Sequence, residues 1–249
     1  MSAREAGGGA AAPLPASLLT PLAVLFDVDY TLLEPSDLFH ADGYRRCGEK
    51  FGLDLDVGRW EAAERAAYEA VKARRERTGT LHDNGVYDAI AEAVITAMGG
   101  GDPEIVHACA EAVIAGWTDC RNFTLYDDAV PCLKRLRAAG LKIALVSNTN
   151  RSLSEVIGFF GLEPYVDAAI ASVEVGHFKP APQIYQAALD ALQVGAGEAV
   201  MVGDNPADDV TGALEVGLAG AVLIDRKGVW DYPPPTIRSL TELPALLGL

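Results

Sequence analysis

Four short runs of uninterrupted apolar residues, each closing on polar ones, limit what this chain can become. They are residues 22–26 before Asp27, 143–146 before Ser147, 199–202 before Gly203 and Asp204, and 221–224 before Asp225, with a weaker run at 168–172. A strand with one wet face alternates apolar and polar residues, whereas an uninterrupted run is covered on both faces, as in a parallel sheet. Helical patterns lie between the runs. Val130, Leu133 and Leu136 share a face before Gly140, and Leu153, Val156, Ile157 and Phe160 share one before Gly161. Pro182 opens a helix carrying Ile184, Tyr185, Ala188, Leu189 and Leu192, and Val210, Ala213 and Leu214 form another before Gly217. Strand alternating with helix predicts an α/β fold, a doubly wound parallel sheet.

One segment breaks the alternation. Residues 34–121 read as helix after helix with no strand. Ala63, Ala66, Ala67, Ala70 and Val71 make one stripe, and Val86, Ile90, Val94 and Met98 a second. Asp102 and Pro103 look like an N-cap and first helical position, followed by Val106, Cys109, Val113 and Trp117. The predicted organisation is therefore a flexible N-terminal tail (1–20), a sheet core (21–33 and 122–249) and an all-helical unit (34–121). Pro13 and Pro15 interrupt the early apolar stretch, which argues against a signal peptide. Pro233, Pro234 and Pro235 read as a stiff loop.

Charge removes some functions. With 20 basic and 35 acidic residues the formal charge is −15, which excludes a nucleic-acid binder and docking on anionic lipid. No apolar run reaches the ~18 residues of a membrane helix. Four scattered cysteines without a Cys-x-x-Cys pair predict a reduced, cytoplasmic protein; a monomer or homodimer is expected, though no sequence feature sets the oligomeric state.

Ligands of open α/β sheets bind at the carboxyl ends of the strands. Those ends carry Asp27, Asp29 and Thr31, then Ser147 and Asn148, then Gly203, Asp204, Asp208 and Asp209, with Lys179 on a neighbouring loop. Side chains two apart on extended chain point the same way, so Asp27 and Asp29 are able to converge. Clustered carboxylates repel unless a cation sits among them, and a few hard oxygen ligands suit Mg²⁺ with a phosphate oxygen.

The set Asp27-x-Asp29-x-Thr31, Ser147-Asn148, Lys179-Pro180 and Gly203-Asp204 with Asp209 resembles, in order and spacing, the four motifs of the haloacid dehalogenase-like hydrolase superfamily. The helical unit after the first motif resembles that family's cap. The resemblance runs from about Pro21 to near the end of the chain. It implies a Rossmann-like core and a Mg²⁺-dependent phosphatase acting on a small phosphorylated metabolite. Asp27 would be the nucleophile that becomes an aspartyl-phosphate, and Asp29 the general acid/base. Mg²⁺ would be held by the Asp27 carboxylate, the Asp29 backbone carbonyl and the Asp204 carboxylate. Thr31, Ser147 and Asn148 would bind phosphate. Lys179 would offset the negative charge, and Asp209 would orient Lys179 or the metal's waters, with Asp208 the alternative. The competing readings are a phosphomutase and a metal-independent 2-haloacid dehalogenase; the latter generally lacks an acid/base at the position of Asp29. Tyr30 departs from the family, which has glycine or asparagine there; it either shapes the substrate pocket or packs beneath the cap.

Of the remaining charges, Lys72, Arg74, Arg75 and Arg77 read as a solvated helix end, with an anion-binding patch as the sharper alternative. His40, Arg45 and Arg46 are candidates for reaching the pocket. His82, His107 and His177 show no metal-ligand spacing.

Overall fold

In the computed structural model the described residues are 21–233 and 235–249. The expected tail at 1–20 and Pro234 of the expected proline loop lie outside them. The chain runs β1 (Ala23–Phe26), β2 (Leu33–Pro35), α1 (Ala41–Lys50), α2 (Trp60–Thr78), α3 (Gly85–Ala97), α4 (Pro103–Thr118), β3 (Phe123–Leu125) and α5 (Ala129–Ala138). It continues through β4 (Lys142–Ser147), α6 (Leu153–Phe160), β5 (Ala168–Ala171), α7 (Ser172–Val175), α8 (Pro182–Leu192) and β6 (Ala199–Gly203). A π-helical turn (Pro206–Thr211) then leads into α9 (Gly212–Glu215), β7 (Gly220–Ile224), β8 (Thr236–Ile237) and α10 (Leu243–Leu246).

Six strands make one parallel sheet in the order β5-β4-β1-β6-β7-β8. The apolar runs become strands because both faces are covered. Val24 and Phe26 of β1 join one core with Leu133, Leu136, Val156 and Leu243, while Ala23 and Leu25 join the other with Ile184, Ala188 and Leu189. A buried Leu or Ile contributes roughly 1.5–3 kcal/mol relative to exposure. Because β4 and β6 flank β1 and the connections depart in opposite directions, the order reverses at β1, and the crevice at its carboxyl end is where a ligand is received.

Helices α1 to α4 fill the segment between β2 and β3. Asp102 caps α4 by accepting from the Glu104 and Ile105 N–H groups at 2.9 and 3.3 Å. Their apolar residues, including Ile95, Met98, Cys109 and Val113, are continuous with the core on one face of the sheet. Cys47, Cys109 and Cys132 are buried and Cys120 half-buried, all as free thiols. Among the described residues no helix is long and apolar enough to cross a membrane.

Several local expectations need correction. Glu34 and Pro35 are not helical: β2 pairs antiparallel with β3, and this small ribbon is where the chain leaves the core and returns. Strand β8, only two residues long, left no readable pattern. In α2 only Ala63 of the alanine stripe is buried, since alanines leave room rather than fill it. The segment before Gly217 starts as a π turn, and Leu214 faces outward, 51% exposed.

Candidate active site

Asp27 follows β1 and is fixed by its backbone, its N–H donating to the Val202 carbonyl at 2.9 Å. The chain then folds into a tight loop in which the Leu32 and Leu33 N–H groups return to the Val28 carbonyl at 2.8 and 2.9 Å. Tyr30 takes the left-handed conformation, with φ +60°. Glycine adopts it freely, whereas a tyrosine there costs on the order of 1–2 kcal/mol.

The centre is the Lys179 ammonium, 2% exposed, which donates to Asp27 Oδ1 at 2.6 Å and Asp209 Oδ1 at 2.7 Å. Asp209 is pinned further by the Asn205 N–H on Oδ2 at 3.0 Å. Gly203 makes this approach possible, because a Cβ at that position would occupy the space of the Asp209 carboxylate. Carboxylate oxygens of Asp27, Asp204 and Asp209 lie within 4.8 Å of one another. Burial pushes the Asp204 carboxyl well above its ordinary range, and Asp27 and Asp209 add to the shift. Burial likewise raises Asp27 and Asp209 against the pull of Lys179. Burial opposes the charge on Lys179, but Asp209 and Asp27 outweigh it and hold the ammonium above its usual range. Three carboxylates thus share one built-in cation, a donor set of hard oxygens with room in its chemistry for a divalent ion.

The other expected residues fall around this centre. Ser147 ends β4 and is buried. Thr31 is fully buried, and its Oγ1 finds no partner among the described residues. Asn148 accepts from the Lys179 N–H at 2.6 Å and donates to the Lys179 carbonyl and Asp208 Oδ2, both at 3.1 Å. Its amide therefore clamps the lysine's backbone; both side-chain N–H groups are already engaged. Asp208 and Asp209 have different partners. Asp209 meets the Lys179 ammonium, whereas Asp208 accepts both prongs of Arg75 at 2.8 and 2.9 Å.

Arg75 and Arg74 depart from the expected solvated face, since Arg74 pairs with Asp83. Arg45 pairs with Asp42 and Glu49 on its own helix and Arg46 is exposed, so of the three candidates at the start of α1 only His40 lines the cavity. His82 bonds Ser172 Oγ at 3.0 Å and Asn84 Oδ1 at 2.9 Å. The connector between α2 and α3 also makes two backbone bonds with the loop before Lys179: His82 N–H to the Gly176 carbonyl, and Phe178 N–H to the Thr80 carbonyl, both 2.8 Å.

One residue escaped the sequence reading. Arg151, 4% exposed, grips both oxygens of Asp29 through Nη2, at 2.5 Å for Oδ2, and lies 4.3 Å over the Phe123 ring. Its only signal was an arginine four residues after Ser147 in a strand-end loop. Beyond Asp29 and Asp204 opens a cavity of about 560 Å³ that runs up against α1 to α4.

A parallel sheet with a buried lysine–carboxylate centre at its switch point defines a class of α/β hydrolase. A model of the haloacid dehalogenase-like hydrolases matches residues 21–217, and the chain belongs to that family. It is 30% identical over 223 residues to the ribulose-1,5-bisphosphate 5-phosphatase of Halopiger xanaduensis, covering 88% of this chain and 91% of that protein. It is 32% identical over 217 residues to the glyceraldehyde 3-phosphate phosphatase of Methanopyrus kandleri, covering 85% and 87%. Among solved structures, the HAD phosphatase from Thermococcus onnurineus superposes with a TM-score of 0.61 at 27% identity, covering 91% of this chain and 97% of that one.

Proposed function

We propose that this chain is a Mg²⁺-dependent phosphatase that hydrolyses a small phosphorylated metabolite through an aspartyl-phosphate on Asp27, with α1 to α4 acting as its cap. The observation that carries this reading is the Lys179 ammonium held between Asp27 and Asp209, with an Asp204 carboxylate oxygen within 4.8 Å of theirs. The names of the relatives, both phosphatases of phosphorylated small molecules, support the reaction class.

A carboxylate attacking a phosphate dianion meets repulsion of ~4 kcal/mol per charge pair at 4 Å and an effective dielectric of 20. Lys179 offsets part of it at Asp27. The Asp27 and Asp204 carboxylates, with the Asp29 backbone carbonyl, would hold Mg²⁺, which when bound supplies the remaining positive charge. Asp209 fits that shell less well, since both its oxygens already accept hydrogen bonds.

In the first half-reaction an Asp27 oxygen bonds to phosphorus, the ester P–O bond breaks, and Asp29 gives its proton to the departing alkoxide. In the second, Asp29 takes a proton from water, the water oxygen bonds to phosphorus, and the Asp27–phosphorus bond breaks to release inorganic phosphate. Arg151 keeps the Asp29 carboxyl in place between the halves. Ser147 and Thr31, whose Oγ1 has no partner among the described residues, would be neutral donors to the phosphate. We also infer a reduced cytoplasmic setting, which the free thiols favour, and a monomer or homodimer.

Phosphate release from p-nitrophenyl phosphate tests the reading. Mg²⁺ should support turnover, EDTA should stop it, and Asp27→Asn should lower it by at least about a thousandfold, as for loss of a nucleophile. Turnover that survives EDTA, or a wild-type rate in Asp27→Asn, overturns the proposal. Transfer of the phosphoryl group to a sugar instead of water would make the chain a mutase.

A further inference from the structure

The cavity beyond Asp29 and Asp204 has a lining rich in aromatic side chains, with polar ones such as His40, Thr149 and Asn150 between them. Tyr30, Tyr44, Trp60, Trp117, Tyr126 and Ile90 line it. Several of the charged side chains on the same walls are already committed within the protein. Asp29 is held by Arg151. Arg226 donates to Asp128 at 2.9 and 3.0 Å and lies 3.7 Å over the Tyr126 ring. Asp225 accepts the N–H groups of Gly228, Val229 and Trp230 at 2.8 to 3.2 Å. Glu64 and Lys227 are exposed positions of the lining. At the Asp29 end, Arg151 Nη1 is buried without a partner among the described residues.

Tyr30 adds an independent mark. It occupies left-handed backbone suited to glycine, directly after Asp29, and its side chain is part of the cavity wall. A strained conformation kept at a site is a sign that the side chain is used there.

We propose that the substrate is a phosphate monoester whose alcohol carries a flat, apolar ring, so that the cavity selects aromatic phosphate esters over polyol and sugar phosphates. The proposal rests on the phosphatase reading and narrows it. A sugar's hydroxyls would lose water against ring faces that offer no partners, whereas an aromatic body stacks on them. A volume of about 560 Å³ suits a ligand of that size. The preference differs from the sugar and triose phosphates in the relatives' names, and the aromatic walls are the reason.

The test compares kcat/KM for benzyl phosphate and glycerol phosphate, two alkyl esters with alcohol leaving groups. Wild type should favour the benzyl ester by about tenfold or more, the scale on which an apolar pocket discriminates. Tyr30→Gly and Trp60→Ala should bring the ratio towards unity; a variant that merely folds poorly loses both esters together and leaves the ratio unchanged. Equal rates or a preference for glycerol phosphate in wild type overturns the proposal. Titration calorimetry of wild type with benzylphosphonate and methylphosphonate separates the two readings. Tighter binding of the benzyl compound supports the aromatic pocket even where no ester is turned over, in which case the phosphatase reading alone has failed; equal affinity sinks the pocket.

Discussion

Arg75, in the last turn of α2, forms a two-pronged ion pair with Asp208, on the turn that follows β6, at 2.8 and 2.9 Å. The same guanidinium reaches the Lys179 carbonyl at 3.3 Å. Helices and sheet are therefore joined by a directed contact beside the buried lysine–carboxylate centre as well as by apolar packing. Arg75→Ala leaves a buried carboxylate with only Asn148 and should cost about 2 kcal/mol, the scale of hydrogen bonds to charged groups. Urea melts of the single variants and of the double variant with Asp208→Asn measure the coupling. A value of about 0.5 kcal/mol or less would class the pair with ordinary exposed ion pairs.

Lys179 is the most exacting position. Lys179→Met keeps the length of the stem but leaves Asp27 and Asp209 buried without a counter-charge. The expected loss is about 3–5 kcal/mol of stability together with all turnover. Equilibrium denaturation at neutral pH decides; a variant as stable as wild type would show that the carboxylates take up protons at little cost.

Metal binding should be visible without any substrate. At about 100 times its Kd, Mg²⁺ should stabilise the fold by about 2.7 kcal/mol, a rise in Tm of about 5–10 °C. Asp204→Asn should erase the rise. The sign for the metal-free protein is opposite. A carboxyl raised by burial and by Asp27 and Asp209 binds its proton more tightly folded than unfolded, so it lowers stability as pH rises above its ordinary 3.8. Metal-free Asp204→Asn should therefore be at least as stable as metal-free wild type at neutral pH. Scanning calorimetry in EDTA and in Mg²⁺ gives both comparisons.

Asp128 behaves in the other sense. Burial pushes its carboxyl up, but Arg226, the Ser239 hydroxyl and the Leu240 N–H prevail and hold it below its ordinary 3.8. A depressed carboxyl contributes its full stability above its unfolded pKa and loses it as pH falls through the folded value. The stability difference between wild type and Asp128→Asn should thus be constant near neutrality and shrink as the pH drops below about 3.9. A difference unchanged through that range would contradict the pairing.

The sheet was legible because both-face burial leaves an unmistakable mark, as the runs at β1, β4, β6 and β7 show. The clustered carboxylates were legible because they sit at or just after strand ends. Short elements were not: β2 owes its conformation to β3, some ninety residues on, β8 is only two residues long, and neither carries a pattern of its own. The roles of Arg75, Arg151 and Arg226 were hidden for the same reason. Each is an ordinary surface residue type until the fold brings it to Asp208, Asp29 or Asp128, more than ninety positions away in sequence. Asn148 was found by its motif, but its clamp on the Lys179 backbone depends on a loop 31 residues away.

The two backbone bonds between Thr80–His82 and Gly176–Phe178 have a mechanical consequence. Phe178 is the immediate neighbour of Lys179, so the connector between α2 and α3 is laced to the tether of the ammonium. Any swing of those helices that preserves both rungs pulls on the lysine's anchor. The position of the connector and the setting of the ammonium would then be geared together, and a loosened connector would disturb the centre while leaving every one of its carboxylates intact.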